Sequence, residues 1–155
     1  MRQRWRMAGG LAGALFVANM VARLIIWWGF DDTDTTAADR VSLGMFVVIG
    51  VGLAAVTFVW SRRRPAAEWG ADIAAAVGVA LALTILVGPL LVGKNPFGDG
   101  AGTFFAQIWL YAAVTGVGVL LGYLLAVALG LDHRSQALKR YAESRAAKPQ
   151  KPVRR

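Results

Sequence analysis

The stretch VSLGMFVVIGVGLAAVTFVW, residues 41–60, contains no charged side chain and no proline. A helix needs about 20 predominantly apolar residues to cross the ~30 Å hydrocarbon core of a bilayer, because each residue adds ~1.5 Å. The stretch has that length, and it lacks the alternation of polar and apolar residues that marks a strand of a membrane barrel. It therefore predicts a membrane-spanning helix, in which every backbone group is paired internally.

Three further segments have the same character. Residues 73–93 and 104–131 contain no charge, and residues 7–30 are apolar apart from Asn19 and Arg23. The composition agrees, since the chain is 57% hydrophobic and only 17% charged, whereas soluble domains are about 25% charged. The sequence predicts an all-α integral membrane protein, a bundle of four spanning helices.

The basic residues indicate how the chain is threaded. Of the 17 Lys and Arg residues, 14 precede the first span, lie between the second and third, or follow the fourth. Cytoplasmic loops carry the excess of Lys and Arg, so both termini are predicted to be cytoplasmic. The same residues predict contact with anionic lipids at that face. The net charge of +8 is explained in this way and does not indicate nucleic-acid binding.

The tryptophans support the same threading. Aromatic belts place tryptophan at the two interfaces of a membrane. All six tryptophans fall at predicted boundaries, three inner and three outer: Trp5, Trp60, Trp69, and Trp27, Trp28, Trp109.

The chain divides into a transmembrane domain, residues 1–131, and a basic cytoplasmic tail, residues 132–155. The first part of the tail is predicted to be a helix that prolongs the fourth span, and its end, KPQKPVRR, is predicted to be disordered. Between the second and third spans, Pro65 is expected to stop one helix and Asp72 to cap the next.

Small residues predict where helices approach closely. Lipid gives helices no hydrophobic reason to associate, so packing of small side chains does much of that work. Gly118 and Gly122 form a GxxxG motif in the fourth span, and Gly44 and Gly52 lie on one face of the second. Two readings stay open for these glycines, packing within the bundle and docking onto a partner membrane protein.

The sequence offers no catalytic, metal-binding or cofactor-binding constellation. It has no cysteine, and its single histidine, His133, lies beyond the last span. A lone histidine does not build a zinc site, and no serine has a partner that would make it a nucleophile. We therefore expect no enzyme activity, metal or cofactor.

The four predicted spans contain a single charged residue, Arg23. Side chains on a helix point toward its N-terminus, and Asn19 lies four residues earlier on the same face. Gln107 and Tyr111 on the fourth span are expected at a similar depth. These four residues form the candidate intramembrane polar cluster.

Three roles for Arg23 stay open. In the first, the cluster satisfies the charge structurally, with a carboxylate from Asp31, Asp32 or Asp99 above it. In the second, the side chain reaches a lipid headgroup. In the third, it binds a transported or sensed anion, because an intramembrane charge is a functional hypothesis by default.

The segment NPFGDGAGTFFAQIWLYAAVTGVGVLLGYLLAVALGLDHR, residues 95–134, resembles uncharacterised four-span membrane proteins of actinobacteria. The abundance of Ala, Arg and Gly is similar to the amino-acid composition of proteins from high-GC bacteria. The resemblance implies a multi-pass protein of the bacterial plasma membrane and no assigned activity.

Two functions follow from these observations. The leading one is a non-enzymatic accessory or scaffold subunit, associated with a larger membrane protein or with a second copy of this chain. The alternative is a small transporter or flippase for an anionic or lipid-linked substrate that uses the Arg23 region. A transporter requires a polar cavity lined by Asn19, Arg23 and Gln107, whereas a scaffold requires a dry bundle with small residues facing lipid.

Overall fold

The computed structural model describes residues 2–30, 35–91, 93, 95, 97, 98 and 100–146. Helices make up most of this part of the chain, and it contains no strand. The elements are, in order, α1 (Arg2–Gly29), α2 (Thr35–Arg63), α3 (Ala66–Ala82), a π-helical segment (Leu83–Val87), α4 (Gly88–Leu91), α5 (Gly100–Ala128) and α6 (His133–Ala146).

Four helical stretches in the described part are long and apolar enough to cross a membrane. The first three are Trp5–Gly29, Thr36–Arg63 and Ala66–Leu91. The stretch Ala66–Leu91 joins α3, the π segment and α4, and it is called the third span below. The fourth lies in Gly100–Ala146, where α5 carries the apolar residues. The predicted all-α architecture with four spanning helices is confirmed.

The contacts between α2 and α5 show the relative direction of these two helices. Gly118 of α5 lies against Gly50 of α2, and Gly122 lies one turn further along against Ala54. The residue numbers rise together on the two helices, so α2 and α5 run parallel. This contact is the most extensive one between helices in the bundle.

α1 packs against α2 and the third span. Asn19 of α1 lies beside Met45 of α2, at 3.2 Å between Nδ2 and Sδ. Met7, about 18 Å earlier along α1, lies beside Arg64 just after α2. The residue numbers rise on one helix as they fall on the other, so α1 is antiparallel to α2.

The core is small and lies along the axis where α2 meets its neighbours. The surface is covered with exposed leucine, valine and tryptophan, the reverse of a soluble domain and suited to a lipid solvent. The buried cluster consists of Leu15, Ile49, Leu53, Trp69, Ile73, Ala80 and Tyr111.

The turn between α2 and α3 differs from the prediction. Pro65, at φ −64° and ψ 150°, precedes the first residue of α3 and gives it no side-chain cap. The helix begins at Ala66, so Asp72 lies within it and does not cap it. Asp72 instead accepts a hydrogen bond from Arg64, with 3.3 Å between Nη1 and Oδ2. The fixed φ of proline suits a helix start, and α3 begins directly after it.

Trp69 also departs from its predicted place. It is only 6% exposed and packs on Tyr123, with 5.5 Å between the ring centroids. It joins α3 to α5 inside the bundle and is not part of an aromatic belt. Trp5 and Trp28, in contrast, are 74% and 80% exposed, as belt residues are expected to be.

The tail helix α6 does not prolong α5, which corrects the prediction. Gly130 has φ +62°, and the N–H of Leu131 donates to the carbonyl of Ala126 at 2.9 Å. This is the glycine-terminated end that closes a helix. The predicted disordered segment, from Lys148 onward, lies outside the described residues.

Asp132 then starts α6. Its Oδ2 accepts the backbone N–H groups of Arg134 and Ser135 at 3.1 and 3.2 Å, the bonding of a helix N-cap. Hydrogen bonds from the Ser135 side chain, and then from the backbone of Ser135 and Arg134, lower the pKa of Asp132, although its burial opposes them. α6 is therefore a separate, exposed basic helix at the end of the bundle.

Candidate functional site

The site lies where all four spans come together in one half of the bundle. α1 contributes Asn19, Ala22, Arg23 and Ile26, which share one helical face because they are spaced by three and four residues. Asn19 is 5% exposed and Arg23 is partly buried. The polar face of α1 therefore points into the bundle.

Arg23 and Asn19 form a hydrogen-bonded pair. Arg23 Nε donates to Asn19 Oδ1 at 2.9 Å. Asn19 Nδ2 donates in turn to Met45 Sδ of α2 at 3.2 Å. The arginine side chain points back along α1, as helical side chains do. This direction leads toward the middle of the span and away from its nearer end.

The third span makes room for the guanidinium group. A Cβ added to Gly88 would lie 3.2 Å from Arg23 Nε and 3.4 Å from Cζ. Any larger residue at position 88 would push against the arginine. The absence of a side chain at Gly88 therefore lets the charged group lie directly on the helix backbone.

The helix beside Gly88 is irregular. Pro89 has no N–H, so position 89 cannot donate to the carbonyl of Ile85, and the residues before it form the π segment. Within that segment Thr84 and Ile85 are buried and line the site. Single π turns of this kind are frequent at functional sites.

α2 and α5 complete a cavity of ≈ 340 Å³. It is lined by Asn19, Ala22, Arg23, Ile26, Ser42, Met45, Phe46, Leu81, Thr84, Ile85, Gln107, Leu110 and Tyr111. Most of the wall is apolar, and the polar groups come from every span. The cavity is partly open, because Gln107 and Leu110 on α5 are exposed.

Two hydroxyl groups in the cavity wall have no hydrogen-bond partner. They belong to Tyr111, which is 3% exposed, and to Thr84, which is 5% exposed. A buried hydroxyl without a partner costs about 1–3 kcal/mol. Both oxygens are covered by the surrounding side chains, so a ligand in the cavity reaches these hydroxyls only after a side-chain movement.

The electrostatic balance of the cavity is positive. Arg23 is the charged residue among those that line it, and no carboxylate lines it in the described part of the chain. The three aspartates proposed to neutralise the arginine, Asp31, Asp32 and Asp99, lie outside the described residues. Within those residues Arg23 takes part in no salt bridge. The arrangement can hold an anion.

The structure brings together the four residues of the predicted polar cluster, Asn19, Arg23, Gln107 and Tyr111, around this one cavity. The contribution of the third span was not predicted from the sequence. Thr84 and Gly88 stand in an apolar segment just before Pro89, and that proline was the signal for an irregular turn.

The predicted packing glycines divide into two pairs. Gly118 and Gly122 are buried against the backbone of α2. Gly44 and Gly52 are exposed, and a Cβ on either would meet nothing within 4 Å, so of the two readings only docking onto a partner stays open for this pair. The face of α2 that packs is the opposite one, because positions 50 and 52 are about 200° apart around a helix.

At the other end of the bundle, Arg64 contacts residues of α1, α2 and α3. Arg64 donates to Asp72 at 3.3 Å and lies 3.2 Å from Met7 Sδ. Its guanidinium also lies over the ring of Trp60, 5.6 Å from the centroid. No group of three or more His, Cys, Asp or Glu side chains that could hold a metal ion occurs among the residues described.

Comparison with known proteins gives no match, whether with protein-family models, with curated sequences or with solved structures.

Proposed function

We propose that this chain is a small membrane transporter or flippase that binds an anionic or lipid-linked substrate in the cavity around Arg23. The observation that carries the proposal is a guanidinium that has no carboxylate partner among the described residues and that lines a cavity of ≈ 340 Å³ beside two buried hydroxyls without partners. A dry structural cluster would use these donors internally. The proposal contains no catalytic step, metal or cofactor.

Burial of the charge favours a bound anion over a purely structural role. Within the part of the chain that the structure describes, the side chain of Arg23 has one side-chain partner, the neutral Asn19. A buried charge is costly unless it is paired with an opposite charge and hydrogen-bonded. An oxyanion in the cavity would accept from the guanidinium and, after a movement of these side chains, from the covered hydroxyls of Tyr111 and Thr84.

The test is ligand-induced stabilisation of the full chain in zwitterionic nanodiscs. Anions that bind the folded state stabilise it by ~2.7 kcal/mol at a concentration 100 times the dissociation constant, and this raises its melting temperature. Inorganic phosphate, oleate and anionic lipid are titrated in turn. We expect Arg23→Gln to remove the stabilisation by at least one of them, whereas Arg40→Gln, at an exposed position that lines neither this cavity nor the shallow one at the other end of the bundle, keeps it. Equal shifts in the two variants would contradict the proposal.

For the orientation, we propose that both termini face the cytoplasm of a bacterial plasma membrane. Arg64 lies beside Met7, so the basic segments around α1, α2 and α6 share one end of the bundle. At that end, Arg62, Arg63 and Gln136 line a shallow cavity of ≈ 320 Å³. Anionic lipids of the inner leaflet suit this surface. Accessibility of single cysteines at positions 3 and 143 to impermeant reagents checks the orientation.

A second candidate function is an accessory or scaffold subunit. It is favoured by the exposed face of α2, where Gly44 and Gly52 flank Val48, which is 62% exposed. Such a face lets another helix approach closely. A stoichiometric larger partner, or a second copy of the chain, retained in mild detergent and lost in Gly44→Leu/Gly52→Leu would support this role. The same complex in that variant would exclude this face.

A further inference from the structure

We propose that the ligand of the cavity is the phosphodiester headgroup of an anionic membrane lipid, which enters sideways between α5 and the third span. The inference rests on the proposed anion-binding function and names the class of substrate. Four features support it: the charge of the cavity, its donors, its size and the position of its opening.

The charge of the cavity selects a monoanion. Arg23 supplies one positive charge, and the described lining residues include no second charge of either sign. A phosphodiester carries one negative charge, whereas a phosphate monoester carries about 1.5 to 2 at neutral pH. An excess charge left inside an apolar cavity costs several kcal/mol. A diester therefore neutralises the site and a monoester overcharges it.

The donors of the cavity suit an acceptor with several oxygens. The guanidinium of Arg23 has a planar set of N–H groups, and the Nε–H group already donates a hydrogen bond to Asn19. Its remaining N–H groups and the unpartnered hydroxyls of Tyr111 and Thr84 come from three different helices. Once the covered hydroxyls turn toward the cavity, donors on three helices match a phosphate better than a flat carboxylate.

The size of the cavity exceeds that of a bare ion. Water occupies about 30 Å³ per molecule in the liquid, so ≈ 340 Å³ would leave room for many waters around a halide or a carboxylate. Small-molecule sites begin near 300 Å³. The volume fits a phosphate together with the small polar alcohol of a lipid headgroup.

The opening of the cavity points to the bilayer. α5 packs along α2 and meets α3 through Tyr123 and Trp69, 5.5 Å apart, beyond the inner end of the cavity. At the level of the cavity Leu110 of α5 is 50% exposed, and Leu86 of the π segment is 48% exposed. Within the described residues α5 makes no extensive contact with the π segment or with α4. A headgroup can enter there while its alkyl chains stay in the lipid.

The experiment uses the full chain in phosphatidylcholine nanodiscs that contain a trace of phosphatidylglycerol with a photoreactive diazirine in one acyl chain. After irradiation, crosslinked peptides are quantified by mass spectrometry. We expect crosslinks on α5 around Leu110 and on the third span around Leu86. We expect them to fall about tenfold or more in Arg23→Gln, because a hydrogen-bonded charge pair is lost. Arg62→Gln, matched in residue type, is expected to leave these two sites unchanged.

A second variant keeps the test decisive if Arg23→Gln fails to fold. Tyr111→Phe removes a hydroxyl that has no partner in the fold, so the folded state does not lose a hydrogen bond. Crosslinking at Leu110 is expected to fall several-fold while the melting temperature is kept. Unchanged crosslinking in a folded Arg23→Gln, or in Tyr111→Phe if Arg23→Gln does not fold, would overturn the inference.

Competition separates failure of this inference from failure of the proposed function. Unlabelled phosphatidylglycerol is expected to displace the probe, while oleate, phosphatidic acid and inorganic phosphate displace it at least tenfold more weakly. If oleate or inorganic phosphate competes equally well, the assignment of a lipid phosphodiester is wrong, and Arg23-dependent anion binding stands. If no anion of any kind shows an effect that depends on Arg23, both conclusions fail.

Discussion

Alanine at Gly118 is expected to force α5 away from α2. The added Cβ would lie 2.5 Å from the carbonyl oxygen of Gly50 and 3.1 Å from its Cα. Ordinary van der Waals contact begins at 3.4 Å. The atoms in the way belong to a helix backbone, which cannot rotate aside as a side chain can. The two helices must therefore separate by close to the missing distance, roughly 1 Å, in an interior that is otherwise packed closely.

The expected cost is ~1–3 kcal/mol, the range for overpacking a well-packed contact. Gly122→Ala is expected to cost at least as much, because its Cβ would lie 2.8 Å from both Cα and the carbonyl carbon of Ala54, and closer still to the carbonyl oxygen. The double variant Gly118→Ala/Gly122→Ala is expected to cost less than the sum, since one separation of the helices relieves both clashes.

The assay is unfolding of the full chain in mild detergent by titration with sodium dodecyl sulfate, followed by far-ultraviolet circular dichroism. Gly116→Ala is the matched control, because it stands on the same helix and its Cβ would meet nothing within 4 Å. We expect this control to change the free energy of unfolding by less than ~0.5 kcal/mol. The reasoning is refuted if Gly118→Ala and Gly116→Ala unfold at the same midpoint.

Three further predictions concern the irregular positions of the chain. Asp132→Ala is expected to cost ~1 kcal/mol at neutral pH through loss of the α6 cap. Because the folded pKa of Asp132 is lowered from 3.8, the wild-type cap is fully present above that value and is lost as the pH falls through the lowered pKa; amide exchange in α6 measures both effects. Gly130→Ala is expected to cost ~1–2 kcal/mol in thermal unfolding, because φ is +62° there, and an unchanged melting temperature would argue against a strained turn. Pro89→Ala returns an N–H donor to the third span and is expected to convert the π segment to α-helix, which would turn Thr84 out of the cavity. Alkylation of a cysteine at position 84 detects this change, and equal labelling with and without Pro89 would count against it.

Much of the candidate site was predictable from the sequence, for a reason of periodicity. Arg23 and Asn19 are four residues apart, so a helix places them on one face and within hydrogen-bond reach. Gln107 and Tyr111 are also four residues apart, and depth in the membrane follows from distance to the ends of the span. Local helical geometry and span length fix these relations before any helix packs against another.

The contribution of the third span was not predictable in the same way. Its α-helical repeat is interrupted in the π segment, so the face that Thr84 and Gly88 present cannot be extrapolated from residues nearer its start. The approach of Gly88 to Arg23 involves two different helices. No pattern within either helix records it.

The sequence by itself determined that four helices are able to cross a membrane. Three features decided this: the apolar length of each segment, its lack of charge and the placement of proline. Lipid forces each span to satisfy its own backbone, so the existence of the helices needs no tertiary information. Which faces meet was decided only in the assembled bundle. The second span is apolar all round, and its glycines occur on more than one face, so the pair Gly50 and Ala54 rather than Gly44 and Gly52 packs on α5. In a lipid solvent burial does not select a face, and the choice is made by how closely two backbones fit.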